Sequence, residues 1–282
     1  MTRSRDIIIT GIPRSGTTLC CSLLNKLENL VALVEPWLGL RFWLSRDSGQ
    51  ACKHLEQFFK KTRRDILTRR EARSLQIGGR LPTNPVEEQR DNNRLRKPIA
   101  KPGTIKITRK LSPDFWLVVK HPVPFTALLD ELVHHFPTYG IIRNPLAVLA
   151  SWNSVSLWVN KGRVPDAGRF APNLKRALSC LTDRFERQVY LLNWFFEMYG
   201  RVLPEASVIR YEDVIASGGR ALSVIVPEAA ALNIPLESRN ASPLYDASVI
   251  CALGERLLKT NGAYWDFYSR ESVERLIAEV IR

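Results

Sequence analysis

Metal and redox chemistry have little to draw on in this 282-residue sequence, which holds four histidines and five cysteines. The cysteines, at 20, 21, 52, 180 and 251, are odd in number and form no C-x-x-C pair. They read as reduced, mostly buried thiols, and neither a disulfide framework nor a structural zinc site is expected. No stretch approaches eighteen uncharged apolar residues, so no membrane-spanning helix is expected. The basic N-terminal stretch carries only a short apolar run, Ile7-Ile8-Ile9, before Gly11 and Pro13. That is too little for the core of a secretory signal, and the expected location is cytoplasmic. Apolar residues are not scarce: 45% of the chain is hydrophobic and 24% charged, which supports a buried core and excludes a disordered tail protein. The length fits one domain over residues 1–282.

Acidic residues are the other shortage. There are 28 against 41 Lys and Arg, a formal net charge of +13. The excess is concentrated: 19 basic and 7 acidic residues lie between Arg41 and Lys110, while the rest of the chain holds 22 and 21. Such a block favours an anionic partner, whether polyanion, acidic membrane face or anionic substrate. A solvated helical face is the plainer alternative.

Hydrophobic patterning alternates strand and helix. Asp6-Ile7-Ile8-Ile9-Thr10 is suited to a strand buried on both faces. After the turn Gly11-Ile12-Pro13-Arg14-Ser15-Gly16 comes a helical pattern with Leu19, Cys20, Leu23, Leu24 and Leu27 on one face. Further strands are expected at residues 31–34, 116–119, 139–142 and 207–210. Helices are expected across residues 125–133, from about Pro145, and as one long helix near residues 174–199. This order implies an α/β fold with a central parallel sheet and helices on both faces. Residues 46–112 break the pattern, beginning helical and turning irregular where Gly78-Gly79, Pro82, Pro85, Pro98 and Pro102-Gly103 cluster. They are expected to form a basic, partly helical insertion in the core.

Gly11-Ile12-Pro13-Arg14-Ser15-Gly16-Thr17-Thr18 joins an expected strand to an expected helix, where backbone N–H groups and the helix N-terminus form an anion cradle. A nucleoside-triphosphate loop reads G-x-x-x-x-G-K-[ST]; here Thr17 stands in the lysine position. Thr18 keeps the hydroxyl of the magnesium ligand, but no expected strand ends in an Asp to complete a metal site. Lys120 and Arg143 end strands instead, so the anion is expected to be neutralised by side-chain cations with no metal.

Pro13-Arg14-Ser15-Gly16-Thr17-Thr18-Leu19 resembles the 5′-phosphosulfate loop of sulfotransferases, whose sulfuryl donor is 3′-phosphoadenosine 5′-phosphosulfate (PAPS) and whose product is 3′,5′-ADP. Arg143-Asn144-Pro145-Leu146-Ala147-Val148-Leu149-Ala150-Ser151-Trp152 resembles the family's 3′-phosphate motif, an Arg at a strand end and a Ser eight residues on. Asn144 can cap a helix that starts at Pro145, which puts Ser151 about two turns along the same face. Tyr211-Glu212-Asp213 is similar to the family's Y-E-D, whose Tyr lines the adenine pocket. The likeness covers residues 6–36 and 116–215, and implies a P-loop-like fold and PAPS-dependent transfer to a hydroxyl or amine, closer to the carbohydrate and tyrosylprotein enzymes than to the cytosolic small-molecule type.

The same resemblance implies roles. Arg14, second in the loop, would face the bridging oxygen and 5′-phosphate, and Lys120 would stabilise the sulfuryl group. Glu35, at the end of the second strand, matches the family's catalytic glutamate. His121 is the other candidate base; strand alternation would turn it away from Lys120, and Glu35 is preferred. The late R-K-G loop of cytosolic members is missing, with Arg256, Lys259 and Asn261-Gly262 as substitutes. His134-His135 are expected to close a helix, Cys20-Cys21 to pack, and Glu212-Asp213 to start a helix. The basic insertion is expected to form the acceptor side of the cleft, favouring an acidic saccharide or peptide rather than nucleic acid through Arg63, Arg64, Arg69 and Arg70, with Trp37, Phe42 and Trp43 available to stack. The competing functions are a P-loop small-molecule kinase and a non-catalytic nucleotide- or polyanion-binding protein.

Overall fold

The structure, a computed structural model, describes residues 5–89 and 95–281. Arg90, Asp91 and Arg94 of the basic block and Met1–Ser4 of the N-terminal stretch lie outside the described residues. The strands are β1 (Asp6–Gly11), β2 (Leu30–Val34), β3 (Glu71–Gln76), β4 (Lys101–Lys106), β5 (Trp116–Lys120), β6 (Thr138–Ile142) and β7 (Val208–Arg210). The helices are α1 (Thr17–Leu24), α2 (Leu40–Trp43), α3 (Ser48–Arg69), α4 (Pro122–Ala127), α5 (Leu129–His135), α6 (Pro145–Asn153), α7 (Pro172–Cys180), α8 (Arg184–Val202), α9 (Tyr211–Ala216), α10 (Ala247–Leu258) and α11 (Arg270–Ile281).

Five strands make one parallel sheet in the order β2-β5-β1-β6-β7. Its strands are apolar on both sides because helices cover both faces. Ile7 and Ile9 point to a core shared with α1 and the turns at residues 220–231, whereas Ile8, Val31 and Leu33 face a core built with α3, α4 and α5. A third core lies among α6, α8, α10 and α11 around Trp152, Phe195 and Tyr199. The expected α/β fold with a central parallel sheet is the one formed.

Two expectations change. The single long helix is two, α7 and α8, because Leu181 is extended and the Asp183 carboxylate caps α8 by accepting from the Glu186 N–H (2.9 Å). The irregular half of the insertion contains a two-stranded antiparallel sheet, β3 with β4, in the register Glu71↔Lys106 to Gln76↔Lys101. Helix α3 ends at Arg70, whose left-handed backbone (φ 58) turns the chain into β3. Ser74 then fastens β3 to the edge strand β2, its hydroxyl accepting from Val34 N–H (2.9 Å) and donating to Val34 C=O (3.2 Å). The insertion thereby covers one edge of the main sheet.

No described helix is long and apolar enough to cross a membrane.

Candidate functional site

Each strand of the main sheet delivers a polar side chain from its carboxyl end. Register sets the row: Val34, Lys120 and Ile9 are neighbours, Gly11 lies beside Ile141, and Ile142 beside Arg210. Across the sheet the residues that follow are Glu35 after β2, Lys120 at the end of β5, Arg14 after β1, Arg143 after β6 and Tyr211 after β7. With strands about 4.8 Å apart, the row spans about 19 Å. All five border one cavity of about 920 Å³.

At one end Lys120 Nζ donates to Glu35 Oε1 (2.5 Å) and approaches Thr18 Oγ1 (3.4 Å). Lys120 is nearly sealed, while the Glu35 side chain keeps 33% of its exposure, so the carboxylate faces the cavity. Burial would raise the Glu35 carboxyl, but the ammonium of Lys120, with smaller help from His121 and Arg14, outweighs it and holds the carboxyl below its usual range. Glu35 has a positive φ of 44, uncommon for a side chain with a Cβ. Its N–H continues the ladder to Lys120 C=O (2.8 Å) while the side chain is thrown over the strand ends.

At the centre, Arg14 also has a left-handed backbone (φ 73). Its Nε donates to Ser151 Oγ (3.3 Å) and its Nη2 to Asn84 Oδ1 (3.1 Å). Burial pushes its guanidinium down to about 10, leaving it charged at neutral pH. The loop is fixed from below: Ser15 Oγ donates to Ile141 C=O (2.8 Å), and Trp152 Nε1 to Pro13 C=O (2.7 Å). Gly16 is required twice over, by its φ of 90 and because a Cβ there would lie 2.6 Å from the Tyr211 ring. Thr17 and Thr18 begin α1, whose first-turn N–H groups have no acceptor inside the helix.

At the other end Arg143 lies over the Tyr211 ring (4.7 Å) and donates to Asn240 Oδ1 (2.8 Å), Arg14 C=O (3.0 Å) and Arg239 C=O. Its guanidinium is held above its ordinary range because Tyr245, Tyr211 and Glu212 together outweigh the burial penalty. Asn144 caps α6 as expected, accepting from the Leu146 and Ala147 N–H groups. Ser151 is fully buried and is linked to Arg143 through Arg14, which donates to Ser151 Oγ and accepts from Arg143 at its C=O, while Tyr245 stands close to both Arg143 and Ser151.

The five strand-end residues and the loop are therefore brought together, with Pro13, Gly16, Thr17 and Thr18 also lining the cavity. His121 departs from strand alternation: β5 ends at Lys120, His121 becomes the residue before α4, and both side chains border the cavity. Burial pushes the His121 imidazole down to about 4, so it is neutral at pH 7. Glu212 does more than start α9; it accepts from Asn144 N–H, Asn240 Nδ2 and the Tyr268 hydroxyl. Cys20 and Cys21 are buried with their thiols pushed up, and Cys21 reaches about 12. His135 ends α5 and pairs with Glu56 and Glu131.

The late substitutes are elsewhere. Arg256 pairs with Asp183 over the Phe185 ring, Lys259 ends α10, and Asn261 accepts from Arg270. The segment that covers Arg143 is the stretch with Arg239, Asn240 and Tyr245, an irregular run with no pattern to distinguish it in sequence. The insertion does overhang the cleft, but through its irregular half, with Leu75, Asn84, Val86, Glu88 and Arg96. Arg63, Arg64, Arg69 and Arg70 are not among the residues lining the cavity. Arg63 pairs with Asp6 and donates to Phe115 C=O (2.7 Å), Arg70 donates to Arg109 C=O (3.0 Å), Arg64 is exposed, and Arg69 borders a second groove of about 640 Å³.

No protein-family model matches the sequence, and a comparison with curated proteins finds no match.

Proposed function

We propose that the protein is a PAPS-dependent sulfotransferase of P-loop-like fold. What carries this is the ordered row along the sheet edge: a carboxylate, a buried ammonium, a buried guanidinium over a phosphate-type loop, a second guanidinium and an aromatic ring. An elongated nucleotide with an anionic group at two separate places fits such a row with its nucleoside toward Tyr211 and its reactive end toward Glu35. The cavity, at about 920 Å³, is large enough for a nucleotide and a second substrate.

In this reading the loop amides, Arg14 and Lys120 hold the phosphosulfate, and Arg143 with Ser151 takes the 3′-phosphate once Tyr245 yields its place. Glu35 accepts the proton of the acceptor hydroxyl as the acceptor O–S bond forms. The bond from sulfur to the bridging oxygen breaks, and its electrons leave with 3′,5′-ADP. Arg14 and Lys120 meet the charge that develops on that oxygen, where fixed cations in a water-poor site are most effective. Lys120 also keeps Glu35 ionised before the acceptor arrives.

Thermal denaturation tests the donor. Saturating 3′,5′-ADP without magnesium should raise Tm, since a ligand at 100 times its Kd adds about 2.7 kcal/mol to the folded state. A response to ATP with magnesium and none to 3′,5′-ADP would replace this proposal with a kinase. Product binding without sulfuryl transfer to any hydroxyl acceptor would leave a nucleotide-binding protein.

A further inference from the structure

Most of the positive charge of the insertion plays no part in the cavity. Arg41, Lys61, Arg69 and Arg73 border the second groove, which runs between α2, α3 and β3. An adjoining groove shares Arg69 and Glu71 with it and adds Arg70, Lys106 and Lys110. Against these seven cations the two grooves set two carboxylates, Asp65 and Glu71. Among the described residues none of the seven forms a salt bridge, whereas Arg5, Arg63, Arg201 and Arg256 each do. The field over this face is therefore uncompensated by the protein itself.

Beside the cations stands an apolar face. Trp37 is 54% exposed, Leu40 62% and Leu44 56%. Leu40 and Leu44 lie one turn apart on α2, joined by the Leu44 N–H to the Leu40 C=O (2.9 Å), and Trp37 precedes Leu40 by three residues. The face is held from within: Phe42 is fully buried against Phe170 (5.7 Å), and the Trp37 ring stacks on Trp43 (6.1 Å). Trp37 and Leu40 border the groove while keeping more than half their surface in solvent, so they stand at its mouth; Leu44 lies outside it. One exposed leucine is ordinary, but three large apolar side chains together beside unpaired cations mark an interaction surface.

We propose that this face docks on an anionic membrane surface, with Trp37, Leu40 and Leu44 dipped among the headgroups and the Lys and Arg residues of the two grooves over acidic lipids. Charge complementarity chooses this occupant. A second copy of the chain would set cations against cations. An acidic peptide lying in the groove would cover Trp37 and Leu40 and leave Leu44 in water. A bilayer interface takes in all three, and it is the environment in which tryptophan and leucine flanked by basic residues are held. The protein rests on the bilayer and does not cross it. Trp37 follows Glu35 by two residues, so the docked face adjoins that end of the cavity. The inference does not depend on what the cavity binds.

Vesicle flotation of the whole protein tests this. Vesicles of phosphatidylcholine alone should carry little protein, and vesicles with about one-third phosphatidylserine should carry most of it, less as salt rises. Leu40→Gln with Leu44→Gln should weaken binding at least about tenfold, through lost apolar burial at unchanged charge. Lys61→Gln with Arg73→Gln should weaken it about 25-fold, since each basic residue near such a surface contributes roughly fivefold. All four positions are partly or fully open to solvent on the surface, so Tm should stay where it is in both variants. Equal binding to the two kinds of vesicle would overturn the proposal, as would undiminished binding in either double variant. Capture of free polyglutamate with no vesicle binding would give the groove to an acidic peptide instead. A dimer that dissociates in Leu40→Gln with Leu44→Gln, again with no vesicle binding, would give the face to a second copy.

Discussion

Arg14 and Glu35 share an unusual property: both have positive φ angles, and both stand at strand ends in the cavity. Such backbone costs on the order of 1 kcal/mol or more and persists where the surroundings hold it. Their side chains reach the row only because the chain bends this way. The residue types were legible in sequence as a loop arginine and a strand-end glutamate, but no pattern announced the bend. Glu35→Gln should leave 3′,5′-ADP affinity intact and lower turnover by roughly 10²–10⁴-fold, as loss of a general base does; single-turnover kinetics would detect it. Tyr245→Phe should act the opposite way. Its side chain stands close to both Arg143 and Ser151, so removing the hydroxyl should tighten 3′,5′-ADP about fivefold, one polar contact no longer to be displaced. His121 supplies a pH dependence of stability. Its folded value is near 4 against 6.5 when unfolded, so between these values the unfolded chain binds a proton the folded one does not. Stability should therefore fall as pH drops from about 6.5 to about 4, by roughly 3 kcal/mol in full. Chemical denaturation across that range should show a flatter slope in His121→Phe.

Elements that carry strong periodicity were readable before folding: the β-branched run of β1, the Asn144-Pro145 start of α6, the strand ends at Lys120 and Arg143. Their registers follow from burial on both faces, which tolerates no slip. What escaped depended on partners distant in the chain. Strand β3, Glu71–Gln76, has little β-propensity of its own and forms because Ser74 reaches Val34 and β4 closes on it. The break before α8 was a cap at Asp183, hidden by apolar spacing that continues through it. Arg63 is the instructive case among the basic pairs of α3, Ser48–Arg69. It looked like a substrate ligand and instead ties α3 to Asp6 and Phe115 at the start of β1 and β5. Arg63→Ala should cost about 2 kcal/mol of stability, the usual loss for a partly buried charged hydrogen bond, measured by urea unfolding. Binding at the cavity should not change.

At the scale of the molecule, the +13 charge divides between two places. A few buried cations face the cavity, while much of the surplus lies on α3 and the adjoining basic groove around Arg41, Lys61, Arg69 and Arg73. Salt should therefore weaken 3′,5′-ADP binding modestly, because buried pairs are poorly screened. A loss of several hundredfold between 50 and 500 mM salt, read by calorimetry, would place the anion on the exposed basic face instead.

The strand order β2-β5-β1-β6-β7 also has a consequence for the protein while it is being made. The strand at the middle of the sheet is synthesised first, yet both its neighbours come late: β5 begins at Trp116 and β6 at Thr138. At translation rates of about 5–20 residues per second, the Ile7-Ile8-Ile9 run has no strand partner for roughly 5–20 s after it is made. Both its edges are open in that interval, the condition in which apolar strands associate with one another. The newborn chain thus depends on shelter for β1 until residue 120 has emerged, and crowding on a heavily loaded messenger should cost this protein more yield than a fold whose first strands pair at once.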